Sequence, residues 1–150
     1  MSSQPLPGAG FSRHSVSVAG AVIRPDGRLL AIRRRDNDAW QPPGGVLELA
    51  ESPQDGVRRE VAEETGLIVE PEALTGVYKN MTAGVIALVF RCHVVGGRVR
   101  STDEAVEVAW LTCHEVSGLM SEAFAIRLLD AVGFQGAPAV RVHDGVRLLA

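Results

Sequence analysis

The period of apolar positions changes several times along the chain, and each change marks an expected element. From Ser15 the run SVSVAGAVI has extended character, Pro25-Asp26-Gly27 supplies a tight turn, and RLLAIRR follows, so the pattern predicts a β-hairpin. Two prolines and two glycines crowd WQPPGG, from Trp40 to Gly45, which predicts a shaped loop without a regular ladder. Ser52 and Pro53 then open a helix. Serine is a favoured N-cap, proline is favoured at the first helical position, and Asp55 suits the positive end of the helix dipole. Gly66 supplies a left-handed C-terminal cap, so the helix is expected over residues 53 to 65.

Farther on, VIALVF at 85 to 90 is a continuous run of strand formers, expected as a buried central strand that leaves through a turn at Gly96-Gly97. AVEVAWL at 105 to 111 alternates like a half-buried strand. In SEAFAIRLLDAV, Phe124, Leu128, Leu129 and Val132 fall at helical spacing behind Ser121, predicting a second amphipathic helix. AVRVHDGVRLLA predicts a terminal hairpin turning at Asp144-Gly145, either a flap on the sheet of its own chain or a contact in a homodimer. Strands interleaved with helices give an α/β fold, a mixed sheet covered by helices. Residues 1 to 13, rich in Pro, Gly and Ser, are expected as a flexible tail, leaving 14 to 150 as one domain.

Composition narrows the classes of function. With 46% hydrophobic and 22% charged residues, the chain is globular and neither disordered nor fibrous. Its net charge of −3, with no basic run beyond Arg33, Arg34 and Arg35, argues against polymeric nucleic acid as a partner. No apolar segment approaches the ~18 residues a membrane span needs, and MSSQPLPGAGFSRHS lacks the basic start and apolar core of an export signal. Cys92 and Cys113 are far apart and in no metal-binding spacing, so a reducing, cytoplasmic setting is expected. His14, His93, His114 and His143 show no metal spacing either.

The chemistry concentrates in RREVAEETG, residues 58 to 66. On a helix, Glu60, Glu63 and Glu64 share a sector of about 100°. They sit in the last turn, where the helix dipole makes each acid unfavourable by about 0.3–1 kcal/mol. Val57 and Val61 lie beside that sector, so the acids border the buried stripe, where repulsion is less screened. The ordinary alternative is a solvated acidic face tied by Arg58 and Arg59, with Arg59 and Glu63 at i, i+4, a pair that contributes only about 0.2–0.5 kcal/mol. Gly56 on the same face, at a cost of ~1 kcal/mol in helix propensity, argues instead for close approach. Glu48, Glu51 and the WQPPGG carbonyls stand just before the helix. Carboxylates and carbonyls together suit a hard divalent cation, Mg²⁺ or Mn²⁺.

These residues carry a resemblance. GVLELAESPQDGVRREVAEETGL, residues 45 to 67, is similar to the signature box of the Nudix hydrolases: a glycine, a spaced acid, then R-E-U-x-E-E-x-G-U with U aliphatic. Gly45, Glu51, Arg59, Glu60, Val61, Glu63, Glu64, Gly66 and Leu67 occupy every specified position, and Trp40 and Pro43-Gly44 resemble the lead-in. The resemblance implies an α/β/α sandwich around a mixed sheet. It implies a hydrolase that cleaves, with Mg²⁺, the pyrophosphate bond of a nucleoside diphosphate linked to another moiety: an NTP, an oxidised NTP, ADP-ribose or a nucleotide sugar. Glu60, Glu63, Glu64 and the Gly44 carbonyl would hold metal, Arg59 would orient Glu60, and Glu51 would brace the loop. The general base would be Glu60 or an acid of STDEAVEVAW, with Glu104 preferred over Asp103 and Glu107. A catalytically silent nucleotide-sensing domain of the same fold is the alternative, although such domains usually lose acids that are all present here.

Subfamily signals leave the nucleotide open. The chain has no coenzyme A type motif before the box and no NADH-type tract after it, and Thr82 stands where ADP-ribose hydrolases tend to carry proline. Among the aromatics, Tyr78 near Lys79 and Asn80 is the candidate pocket wall. Arg33, Arg34 and Arg35 read as a solvated basic turn.

Overall fold

The computed structural model describes residues 11–149, so most of the expected N-terminal tail, residues 1 to 13, lies outside the described residues. Strands β1 (Ser15–Val22) and β2 (Leu29–Arg34) flank the expected turn, where Gly27 at φ 88° donates its N–H to the Arg24 carbonyl at 2.8 Å. They do not form a hairpin. Only Ile23 and Leu29 pair across the turn, and the two strands part into different sheets. The reason lies in their side chains: Val18, Ala19, Ala21 and Val22 are all buried, as are Leu29 to Ile32, so both faces of each strand are apolar and each becomes the middle strand between two partners.

WQPPGG also departs from expectation. Trp40–Gln41 forms β3 against β2, and Gly44–Val46 forms β4 against β1, with the prolines confined to the break between them. Proline removes a donor only at its own position, and the Pro43 carbonyl still accepts the Gly20 N–H at 2.9 Å. Glycine at 44 permits the pairing, because a Cβ there would stand 2.8 Å from Ala19 Cα.

Helix α1 (Pro53–Thr65) matches the sequence reading at both ends. The Ser52 side chain accepts the Asp55 N–H at 3.2 Å, and Gly66 takes φ 84°. After it come β5 (Leu67–Asn80), β6 (Val85–Gly97), β7 (Ala105–Leu111), α2 (Cys113–Leu119), α3 (Glu122–Val132) and β8 (Ala139–His143). The apolar run 85 to 90 is the buried part of β6, which continues to Gly97. Strand β5 had no clear sequence signal: Pro71, Glu70, Glu72 and Gly76 interrupt the alternation, and its pairing with β6 shifts register at three places. Helix α2 did carry one. Thr112 and Glu115 form a capping box in which the Thr112 hydroxyl accepts the Glu115 N–H at 3.2 Å and the Glu115 carboxylate accepts the Thr112 N–H at 3.0 Å.

The larger sheet runs β4-β1-β6-β5-β8, with β1/β6 and β5/β8 parallel and the other pairs antiparallel; the smaller runs β3-β2-β7. Strand residues alternate between two cores. Val18, Val22, Leu30, Phe90 and Cys92 meet Val57 and Val61 of α1, whereas Ala19, Ala21, Leu29 and Val89 meet Val116 of α2 and Leu128 of α3. Two cores on opposite sides of these sheets, the larger of them mixed, make the α/β/α sandwich. Val57 and Val61 are fully buried, about 1.5–3 kcal/mol each, and they fix α1 so that its other face looks toward β4. The C-terminal stretch folds onto its own chain: β8 pairs with β5, Asp144-Gly145 turns as expected, and the Leu148 N–H reaches the Glu122 carboxylate at 2.7 Å.

Candidate active site

Three parts of the fold bring the acids together. The last turns of α1 carry Glu60 and Glu64; Gly44 and Gly45 of β4 lie against them; the segment before β7 delivers Glu104. That segment is strapped across the C-terminus of α1. The Arg100 N–H donates to the Thr65 carbonyl at 3.0 Å and the Thr102 hydroxyl to the Glu64 carbonyl at 3.3 Å, so carbonyls that the helix leaves open are satisfied by the strap. Gly66 is required there twice over, by its positive φ and because a Cβ would meet the Arg98 carbonyl.

One carboxylate oxygen from each of Glu60, Glu64 and Glu104 lies within 4.8 Å of the others. Glu63 is not among them. It is exposed and accepts from Arg59 Nη1 at 3.4 Å, so two of the three box acids in this turn face inward and the third looks out beside Glu104. The backbone N–H of Gly44 donates to Glu64 Oε1 at 2.9 Å. Glycine at 45 leaves room for the Glu60 carboxylate, since a Cβ would stand 2.6 Å from its Oε1.

Arg59 organises the neighbouring acids. It grips Glu51 in a fork (Nε to Oε2 2.9 Å, Nη2 to Oε1 2.5 Å), holds Glu60 Oε1 from Nη1 at 2.9 Å, and reaches the Val46 carbonyl at 3.2 Å. Glu51, whose other acceptor interaction is with the Glu48 N–H, is held down to about 2 by the Arg59 fork and then by that backbone donor. Gly56 serves this bracing and does not open space for a ligand: a Cβ there would meet Leu47 Cδ1 at 2.7 Å and Glu51 Oε1 at 3.1 Å.

Glu64 is wholly buried and its Oε2 has no hydrogen-bond partner. Burial first, then the adjoining Glu60 carboxylate, push its carboxyl up to about 9; the Gly44 N–H opposes the shift. A buried acid with an orphaned oxygen, facing two further carboxylates, is the donor set of a cation site built entirely from oxygen. The residues present therefore fit a hard divalent ion.

Other sequence candidates fall elsewhere. Tyr78 is no pocket wall: it is fully buried, and its hydroxyl donates to Asp130 at 2.7 Å. Glycine at 76 makes the space, because a Cβ there would collide with the Tyr78 ring. Arg33 pairs with Asp38 and Glu107, and Arg34 with Asp36 at 2.9 Å, as expected of a surface turn. Glu107 is thus an ordinary strand-face acid, and Asp103 meets Arg35 through its carbonyl at 3.1 Å. Both cysteines are free, and no helix among the described residues is long and apolar enough to cross a membrane. Sequence reasoning passed over Arg127 and His143, which with Gly44 and Gly45 line a cavity of about 240 Å³.

Comparison with known proteins agrees with this geometry. A family model described as the NUDIX domain matches residues 13–131. A MutT-like protein of Streptomyces ambofaciens is 59% identical over 147 residues, covering 98% of this chain and 95% of its own length. An ADP-ribose pyrophosphatase of Methanocaldococcus jannaschii is 32% identical over 113 residues, covering 71% of this chain and 67% of its own. The crystal structure of a NUDIX hydrolase from Nitrosomonas europaea shares the fold, with a TM-score of 0.76 at 20% identity over 89% of this chain and 80% of that one. With the box complete, Glu60 and Glu64 gathered beside Glu104, and the family model running from before β1 to the last turn of α3, the chain belongs to the Nudix hydrolase family.

Proposed function

We propose that this protein is a Mg²⁺-dependent pyrophosphohydrolase, with Mn²⁺ as a substitute ion. It cleaves a nucleoside diphosphate linked to another moiety (an NTP, an oxidised NTP, ADP-ribose or a nucleotide sugar) and releases a nucleoside monophosphate or phosphorylated product. The observation that carries the reading is the buried Glu64 carboxylate with its unpartnered Oε2 among Glu60 and Glu104. Glu60 and Glu64 would hold the ion, with the Gly44 carbonyl and, from the rim, Glu63 as further donors, and Glu104 standing beside it. When bound, the ion supplies charge neutralisation at the pyrophosphate and acidifies water.

The chain's own groups divide the remaining work. Arg59 holds Glu60 Oε1 in one orientation through Nη1 at 2.9 Å, which suits a fixed ligand. Glu104 is exposed and its carboxylate has no hydrogen bond or ion pair among the described residues, which suits taking a proton from the attacking water. Glu51 keeps Arg59 in place and braces β4 against α1.

The test is a panel of NTPs, oxidised NTPs, ADP-ribose and nucleotide sugars with Mg²⁺, read by nucleotide product. Glu60→Gln is expected to lower turnover by at least ~10²-fold. Full activity in Glu104→Gln would return the base role to Glu60, and silence across the panel with nucleotide binding by calorimetry would favour the sensing domain instead.

A further inference from the structure

The cavity beside the acid face carries a second message, written in hydrogen-bond donors. Gly44 and Gly45, which touch Glu64 and Glu60, share its lining with Asn80, Phe124, Arg127 and His143, and no Asp or Glu belongs to that lining.

Arg127 projects from α3 between two rings, its guanidinium carbon 5.0 Å from the Phe124 centroid and 5.4 Å from that of Tyr78. Its Nε donates to the Ala123 carbonyl at 3.2 Å, yet it forms no ion pair among the described residues. Asp130, three residues on, is already taken by the Arg141 fork (2.7 Å from both Nε and Nη2) and by the Tyr78 hydroxyl. Desolvation lowers Arg127 to about 10, so the guanidinium remains charged at neutral pH.

His143 is 3% exposed, and its Nδ1 accepts the Gly145 N–H at 3.0 Å within the Asp144-Gly145 turn. The ring is kept neutral by burial and by the nearby Arg127 charge, so its single proton belongs on Nε2. That nitrogen lies 3.3 Å from Arg127 Nη2, which can only donate. The two groups are thus a pair of donors facing the same space. Asn80 adds a third, because its Oδ1 accepts the N–H groups of Thr82 and Ala83, each at 3.0 Å, leaving the amide NH₂ to donate. Donors left without a partner are expensive to desolvate, and an incoming acceptor removes that cost.

We infer that this cavity holds the part of the substrate away from the scissile bond through a group that offers acceptors and no donor, either an oxyanion or the keto edge of an oxo-purine. The inference rests on the proposed reaction taking place at the adjoining acid face. Guanine presents O6 and N7 as two acceptors, whereas adenine presents an amino donor beside N7. Adenine therefore meets Arg127 and His143 with like against like.

Calorimetric titration with GMP, AMP and inorganic phosphate tests the inference without requiring turnover, alongside nitrogen NMR of the His143 ring. The free protein should show its ring proton on Nε2. If the keto edge fills the site, GMP binds about tenfold or more tighter than AMP, and Arg127→Met removes that preference, chiefly by weakening GMP. If an oxyanion fills it, inorganic phosphate shifts the His143 and Arg127 resonances and the two nucleotides bind alike. Arg127→Lys, which keeps the cation between the rings but loses the fork, separates lost recognition from lost folding. Equal binding of GMP and AMP together with unmoved resonances in phosphate, or a proton found on Nδ1, overturns the inference. A GMP preference in a protein that hydrolyses nothing would instead sink the proposed reaction and keep this site.

Discussion

Glu64→Gln separates what the buried acid does for the fold from what it does for the reaction. In the metal-free protein Glu64 is raised from 4.5 to about 9, mainly by burial. The unfolded chain releases this proton at ordinary acidic pH and the folded chain retains it. Folding stability is therefore fully present below pH 4.5 and falls as pH rises toward 9, by about 1.4 kcal/mol per pH unit. By pH 7 the accumulated cost is about 3 kcal/mol. Glutamine mimics the protonated form: its oxygen can accept the Gly44 N–H and its amide can donate toward Glu60. The variant should match wild type in urea stability at pH 5 in EDTA and exceed it by up to about 3 kcal/mol at pH 7. Histidine titration affects both proteins, so the difference between their profiles isolates Glu64. Saturating Mg²⁺ should reverse the order, since the ion favours the carboxylate that the variant lacks, and the variant should lose activity. Parallel pH profiles in EDTA would refute the argument.

Further outcomes follow from the same geometry. Mg²⁺ or Mn²⁺ at a hundred times its dissociation constant should stabilise the wild type by about 2.7 kcal/mol, seen as a rise in melting temperature that Glu60→Gln diminishes. Glu51→Ala frees Arg59 from its fork and should weaken metal affinity about 10–100-fold by titration, with the fold retained by circular dichroism. Because Glu51 is held down to about 2, its contribution to stability is present above pH 4.5 and is lost as pH falls toward 2, a limb that Glu51→Gln should flatten in acid denaturation. Gly76→Ala places a methyl group into the Tyr78 ring and should destabilise by about 1–3 kcal/mol in urea, with the backbone of β5 shifted in a crystal structure.

Much of α1 was legible because its determinants are local. Ser52, Pro53 and Gly66 act on their own backbone, and helical periodicity places Glu60 and Glu64 on one face whatever packs against it. The same holds for the turns at Gly27 and Asp144-Gly145 and for β7 as a strand, although its burial does not alternate. Strand partners were less legible, since pairing depends on which edges remain free after burial. β1 and β2 read as a hairpin but separate because both their faces are apolar, and bulged β5 lost the alternation by which a strand is recognised.

The linear pattern by itself established an oxygen-rich acidic helix end, the box that carries the family resemblance, and a layered α/β chain. Tertiary structure decided which acids meet. Packing turned Glu63 outward, sealed Glu64 against the Gly44 amide, and carried Glu104 across a gap of forty residues through the strap over α1. It also set Arg127 and His143, unremarkable in the sequence, against one cavity. Charge and propensity are properties of a residue and its near neighbours, whereas burial and donor–acceptor balance are properties of a place, and only the folded chain makes places.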